Sequence, residues 1–120
     1  MTPKQRDLAL LWCQDRLGLE GWQINISWGS TVPEWVATGD SNNYGMCDTD
    51  HAAHIAKIWI NVQRHITDET DCLITFFHEI VHIAHQCSLA DPDCEATVRE
   101  EFFIDRVGAL FAAAYRAGVE

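Results

Sequence analysis

Cys72-Leu73-Ile74-Thr75-Phe76-Phe77-His78-Glu79-Ile80-Val81-His82-Ile83-Ala84-His85-Gln86-Cys87 is the stretch on which the reading of this chain turns. Leu73, Phe76, Phe77, Ile80 and Ala84 recur at helical spacing, so these residues form the buried stripe of an amphipathic helix. Upstream, Thr67 has the chemistry of an N-cap, and Asp68, Glu69 and Asp71 fall in the first turn, where acids suit the helix dipole. The spacing predicts one helix from Thr67 to about Cys87.

On such a helix His78 and His82 share a face one turn apart and can point their imidazoles at one zinc ion. Glu79 is offset to the side. Its carboxylate can reach a water on that ion as a general base without taking a coordination position. With 6 His in 120 residues, this five-residue spacing has a chance expectation on the order of 0.02. Coincidence is therefore a poor explanation.

Hydrolytic zinc sites take three protein ligands and keep a fourth position open. His85 is set aside as the third, because seven residues place it roughly 10 Å along the axis from His78. The metzincin pattern, with a third His six positions after the second, fails because position 88 is Ser. Carboxylates of the following helix remain, namely Glu95, Glu100 and Glu101. Glu101 has Asp105 one turn later on its own face, placed to accept from the other ring nitrogen of a ligand histidine. Glu100 has Ile104 at that offset and stands as the alternative. Glu101 and Asp105 lie between Ile104 and the Val98 and Phe102 side of a mostly apolar helix, where buried carboxylates would need a partner.

That last helix is expected to start at Asp91-Pro92, as N-cap and first-turn proline, and to end at Gly118. Phe103, Val107, Leu110, Phe111 and Ala114 form its expected buried stripe. Before the histidine helix, Ile55 to Val62 reads as a strand with Ala56, Ile58, Ile60 and Val62 on one face, and Tyr44 to Asp48 as a weaker one. Ser30 to Asn43 reads as loop, with room for a short strand near Trp35. Trp22 to Trp28 alternates at period two between Gly21 and Gly29, a strand, and residues 3 to 17 form a first helix. The order helix, small sheet, helix, helix gives an α+β class with a mostly antiparallel sheet.

The length fits one domain over residues 1–120. A net charge of −10 repels phosphate backbones, so nucleic acid is not expected as a partner. No apolar run of roughly 20 residues and no signal-peptide pattern is visible, so no membrane partner is expected. Five cysteines, Cys13, Cys47, Cys72, Cys87 and Cys94, are odd in number and irregularly spaced. They suit reduced thiols in a cytoplasmic protein, with Cys87 and Cys94 flanking a loop across which they could cross-link. Trp12, Trp22, Trp28, Trp35 and Trp59 are expected in the core or an interface, with Trp59 on a strand face that could line a cleft. His51 and His65 read as surface histidines.

With His78-Glu79-x-x-His82 on one helix and Glu101 and Asp105 on the next, the chain resembles the gluzincin zinc metallopeptidases. In size it is similar to minigluzincins and to the short zincin-like proteins of phage and prophage genomes. The resemblance covers about residues 44 to 115. It implies a zincin-like fold with an active-site helix and a glutamate helix, a zinc ion on His78, His82 and Glu101, and Asp105 supporting a ligand histidine. It implies hydrolysis of a peptide or protein substrate, with Glu79 taking a proton from zinc-bound water and returning it to the leaving amine. Ile55 to Val62 would be the edge strand that pairs with the extended substrate. Larger gluzincins stabilise the oxyanion with a downstream Tyr or His, a role for which His54, His85 and Tyr115 are the candidates. The alternative implied function is a catalytically silent zinc-binding interaction or regulatory module. For a latent enzyme, the segment Cys47 to Asp50 would be a candidate plug.

Overall fold

Thr2 and Pro3 start a helix for the expected reasons. Thr2 Oγ1 accepts from the Gln5 N–H at 3.2 Å, and the Gln5 side chain accepts from the Thr2 N–H at 2.7 Å, a reciprocal cap. Helix α1 spans Pro3–Leu17 and ends at Gly18, whose φ of 70° suits glycine. The protein is described by a computed structural model covering residues 2–36, 43–89, 91–92 and 96–119. Cys94 and Glu95, the first a candidate for cross-linking and the second for ligation, lie outside these residues, as do residues 37–42 of the loop expected between Ser30 and Asn43. Cys13, Cys47, Cys72 and Cys87 are free thiols. No helix among the described residues is long and apolar enough to cross a membrane.

Strands β1 (Gln23–Gly29), β2 (Gly45–Asp50) and β3 (Ile55–Asn61) form one sheet in the order β1-β3-β2. β2 pairs antiparallel with β3, but β1 pairs parallel with it, Gln23 opposite Ile55. The sheet is therefore mixed, not mostly antiparallel. Strand proximity in sequence suggests hairpins, and only the β2–β3 turn is one. The chain between β1 and β2 instead carries β2 to the far side of β3. This makes β3 the centre of the sheet and β2 an edge, which corrects the assignment of Ile55 to Val62 as edge strand.

Ala56, Ile58 and Ile60 are fully buried in the core with Ile24, Leu73, Phe76, Phe77, Ile80 and Ile83. The opposite face of β3 is covered at Trp59 and Asn61, while Lys57 is exposed. Trp59 is fully buried there and donates its indole N–H to the Gly29 carbonyl at 3.0 Å, so it lines no cleft. Among the described residues no strand forms near Trp35.

The helix expected to begin at Thr67 is two helices. Asn61 ends β3 and caps α2 (Val62–Asp68), its side chain accepting from the Arg64 N–H, and Glu69 closes α2 at φ 53°. Asp71 then caps α3 (Cys72–Cys87) by accepting from the Leu73 N–H at 3.0 Å. Thr67 and Asp68 thus close one helix, and Asp71 alone opens the next. A cluster of Thr and Asp offers several caps, and sequence preference does not rank them. Val62 starts α2 and does not extend the strand. His65, expected at the surface, is buried, with Nδ1 2.8 Å from Thr70 Oγ1.

Helix α4 spans Val98–Val119. Asp91-Pro92 does not open it. Thr97 does, with Oγ1 accepting from the Glu100 N–H at 3.1 Å, and the Thr97-x-x-Glu100 spacing of a capping box was present in the sequence. The buried stripe is also displaced from the expected one. Ile104, Gly108, Ala112 and Tyr115 face inward, while Phe103 and Leu110 are more than 60 % exposed. A helix this rich in Ala and Phe offers two apolar stripes, and the choice was made by fit against α3.

That fit is close. A Cβ placed on Gly108 would lie 3.0 Å from both the Cα and the N of His78. Farther along, Arg116 makes two hydrogen bonds to the Asp71 carboxylate, so α3 and α4 run antiparallel.

Gly108→Val forces the two backbones apart and should cost about 1–3 kcal/mol, read as a fall in the urea midpoint; an unchanged midpoint would show that α4 has room to move. Arg116 holds the Asp71 carboxyl below its ordinary range. A carboxyl depressed by folding adds stability above its unfolded pKa of about 3.9, and that contribution is lost as pH falls through the lower folded value. The stability gap between wild type and Arg116→Met should therefore close as pH is lowered below about 4, followed by urea titration at several pH values.

Candidate metal centre

α3 and α4 face each other through a row of histidines and carboxylates. His78 and His82, four apart on α3, present their Nε2 atoms to one Glu101 carboxylate on α4. His82 Nε2 is 3.0 Å from Glu101 Oε1, and His78 Nε2 is 3.4 Å from Oε2. Ligand atoms of the three residues all lie within 4.8 Å of one another, so the group could hold a metal ion. Donors about 2.1 Å from a tetrahedral ion stand about 3.4 Å apart. Two imidazoles and one carboxylate at these spacings fit such an ion. Burial pulls His82 below the ordinary imidazole range, partly offset by Glu101, and the neutral ring is the form that ligates.

The other ring nitrogen of His78 lies 3.4 Å from Asp105 Oδ1, the partner expected from the four-residue offset to Glu101. The burial expected for these carboxylates is not found. The Asp105 side chain is 69 % exposed and that of Glu101 45 %, because α4 turns Ile104 inward and leaves its neighbours at the rim. Glu100 points elsewhere. Its Oε2 is 2.6 Å from His85 Nε2 and its Oε1 accepts from Thr97 Oγ1 at 3.1 Å. The His85 and Thr97 contacts hold its carboxyl below the usual range. Glu101, not Glu100, is the carboxylate brought to the two histidines.

Glu79 is buried on α3 beneath the edge strand. A Cβ on Gly45 would meet Thr75 Cγ2 at 2.8 Å, the Trp59 carbonyl at 2.9 Å and Glu79 Cγ at 3.6 Å, so β2 lies against α3 only because residue 45 is glycine. Burial, with a further push from Glu101, raises the Glu79 carboxyl to about 8. Burial also raises the Cys47 thiol, with Glu79 and Asp48 adding to the shift.

These residues share an open cleft of about 460 Å³, lined by Gly45, Met46 and Cys47 on one side and His78, Glu79, His82 and Glu101 on the other. Cys47 to Asp50 is strand paired to β3, and of its residues only Cys47 lines the cleft, at its wall, so the segment is not a plug. His54, His85 and Tyr115 do not line it. His54 stacks on Trp22, His85 is paired to Glu100, and Tyr115 is buried with its ring against Trp12 and Phe77. His51 packs edge-on to Trp22, away from the site.

Gly45, Gly108 and Thr97 shape the site without having been singled out. Only the Thr97-x-x-Glu100 spacing gave a signal in sequence. The glycines matter through contacts between segments far apart in the chain, and no local pattern marks those. No protein-family model, curated protein or solved structure matches this chain.

Protein purified without added metal should carry about one divalent ion per chain, and His82→Ala and Glu101→Ala should each lose it. Elemental analysis decides this; retention in Glu101→Ala would exclude that residue as a ligand.

Proposed function

We propose that the protein is a zinc-dependent peptidase of the gluzincin type. The observation that carries this reading is the convergence of His78, His82 and Glu101 in one cleft with a buried Glu79 beside them. Zinc suits two neutral imidazoles and a carboxylate, and when bound there it would polarise a carbonyl and acidify a water. The resemblance in motif and in the Glu101-to-Asp105 offset points the same way.

The chain's own groups have matching roles. β2 is an edge of the sheet and lines the cleft, so an extended peptide can pair along it and pass its backbone over Glu79. Glu79, buried beside the two histidines at the cleft, is placed to take up a proton and give it back. Asp105 Oδ1 stands 3.4 Å from His78 Nδ1, where its charge favours the ring orientation that turns Nε2 to the site.

One observation favours a second reading. No Tyr, Lys or Arg lines the cleft among the described residues, so no such side chain is placed to stabilise an oxyanion. A zinc-binding interaction module would keep the same ligands and need no base.

Glu79→Gln separates the two. In a peptidase it should lower cleavage of a peptide library by about 10²–10⁴-fold while zinc content is unchanged, measured by mass spectrometry of the digests. A zinc-loaded wild type that cleaves no more than Glu79→Gln would leave the module as the function.

A further inference from the structure

The first turn of α4 carries two adjacent carboxylates, and consecutive helix residues point about 100° apart. A turn rotated by about 100° would therefore exchange Glu101 for Glu100 opposite His78 and His82. Burial does not prevent this, since none of the described residues from 96 to 103 is buried and the first inward anchor is Ile104. Up to Glu100, the N–H groups of this turn also lack the i−4 carbonyl partners that hold later turns. Something other than packing has to fix its orientation.

We propose that His85 and Thr97, acting through Glu100, are positioning residues that aim Glu101 at His78 and His82. Both Glu100 oxygens are engaged, Oε2 by His85 Nε2 at 2.6 Å and Oε1 by the Thr97 hydroxyl at 3.1 Å. The Glu100 N–H donates to Thr97 Oγ1, and the Glu101 N–H donates to the Thr97 carbonyl at 2.9 Å. The turn is thus tied to α3 at one point and to its own cap at the other. His85 lies three residues beyond His82, so α3 offers two successive histidines to two successive glutamates, His82 to Glu101 and His85 to Glu100. Occupying Glu100 removes the competing carboxylate and leaves Glu101 facing the pair. This assignment rests on the metal reading of the His78, His82 and Glu101 group.

The test is zinc affinity by chelator competition, with melting of the metal-free chain followed in parallel by circular dichroism. His85→Ala and Glu100→Ala should each weaken zinc binding by about 10–100-fold, and the two combined should weaken it no more than either alone. His85→Gln, which keeps an N–H for Glu100, should recover most of the loss. If His85→Ala does not fold, Glu100→Gln supplies the same comparison. Wild type that binds zinc while His85→Ala or Glu100→Gln binds it equally tightly would overturn the positioning role alone. Additive losses, or losses that only follow the melting temperature, would also overturn it, reducing the pair to a structural contact. Wild type that binds no zinc would overturn the metal reading and this assignment with it.

Discussion

The candidate centre depends on how closely α4 can lie on α3, and that distance is set where Gly108 meets the backbone of His78. Helix pairs separate according to the side chains at their contact, and here one side contributes none. The close approach brings Asp105, three residues before Gly108, to the His78 ring and carries Glu101 to both histidines. Asp71 with Arg116 and His85 with Glu100 tie the two helices toward opposite ends. A second glycine does similar work on the other wall. Gly45 lets the edge strand settle over Thr75 and Glu79, closing that side of the cleft with backbone.

The two carboxylates of the cleft differ by environment. Glu101 stands at the rim, nearly half exposed, with two imidazoles in reach, and Glu79 lies beneath the strand, only 8 % exposed and so poorly solvated. Burial disfavours ionisation of Glu79, and repulsion from the neighbouring Glu101 adds to that effect. A cation on the His78, His82 and Glu101 group would offset that repulsion. In a chain of net charge −10, such a site accepts a divalent ion at less electrostatic cost than it accepts a second anion.

The sheet contributes position more than chemistry. β3 is central and takes its buried face from Ala56, Ile58 and Ile60, so its register is fixed by the core. β2 is held by β3 on one side only and borders the cleft with its other edge. Mixed pairing produces this arrangement, because β1 pairs with β3, whereas a second hairpin between β1 and β2 would have covered the edge.

By itself the sequence determined the α+β class, the first helix, the three strands to within a few residues, and the pairing of His78 with His82 on one helix. All of these follow from period and local chemistry: alternation in β3, helical spacing in α3, a Thr-Pro start to α1. It also ranked Glu101 above Glu100, through the offset to Asp105, although the expected burial of those carboxylates was not found. Tertiary structure decided the rest. Which of several Thr and Asp residues capped α3, which apolar stripe of α4 turned inward, and which strand became the edge are choices between options of similar local merit. They were settled by contacts between segments tens of residues apart, and at Gly45 and Gly108 the deciding feature is an absent side chain, which leaves no local trace in the sequence.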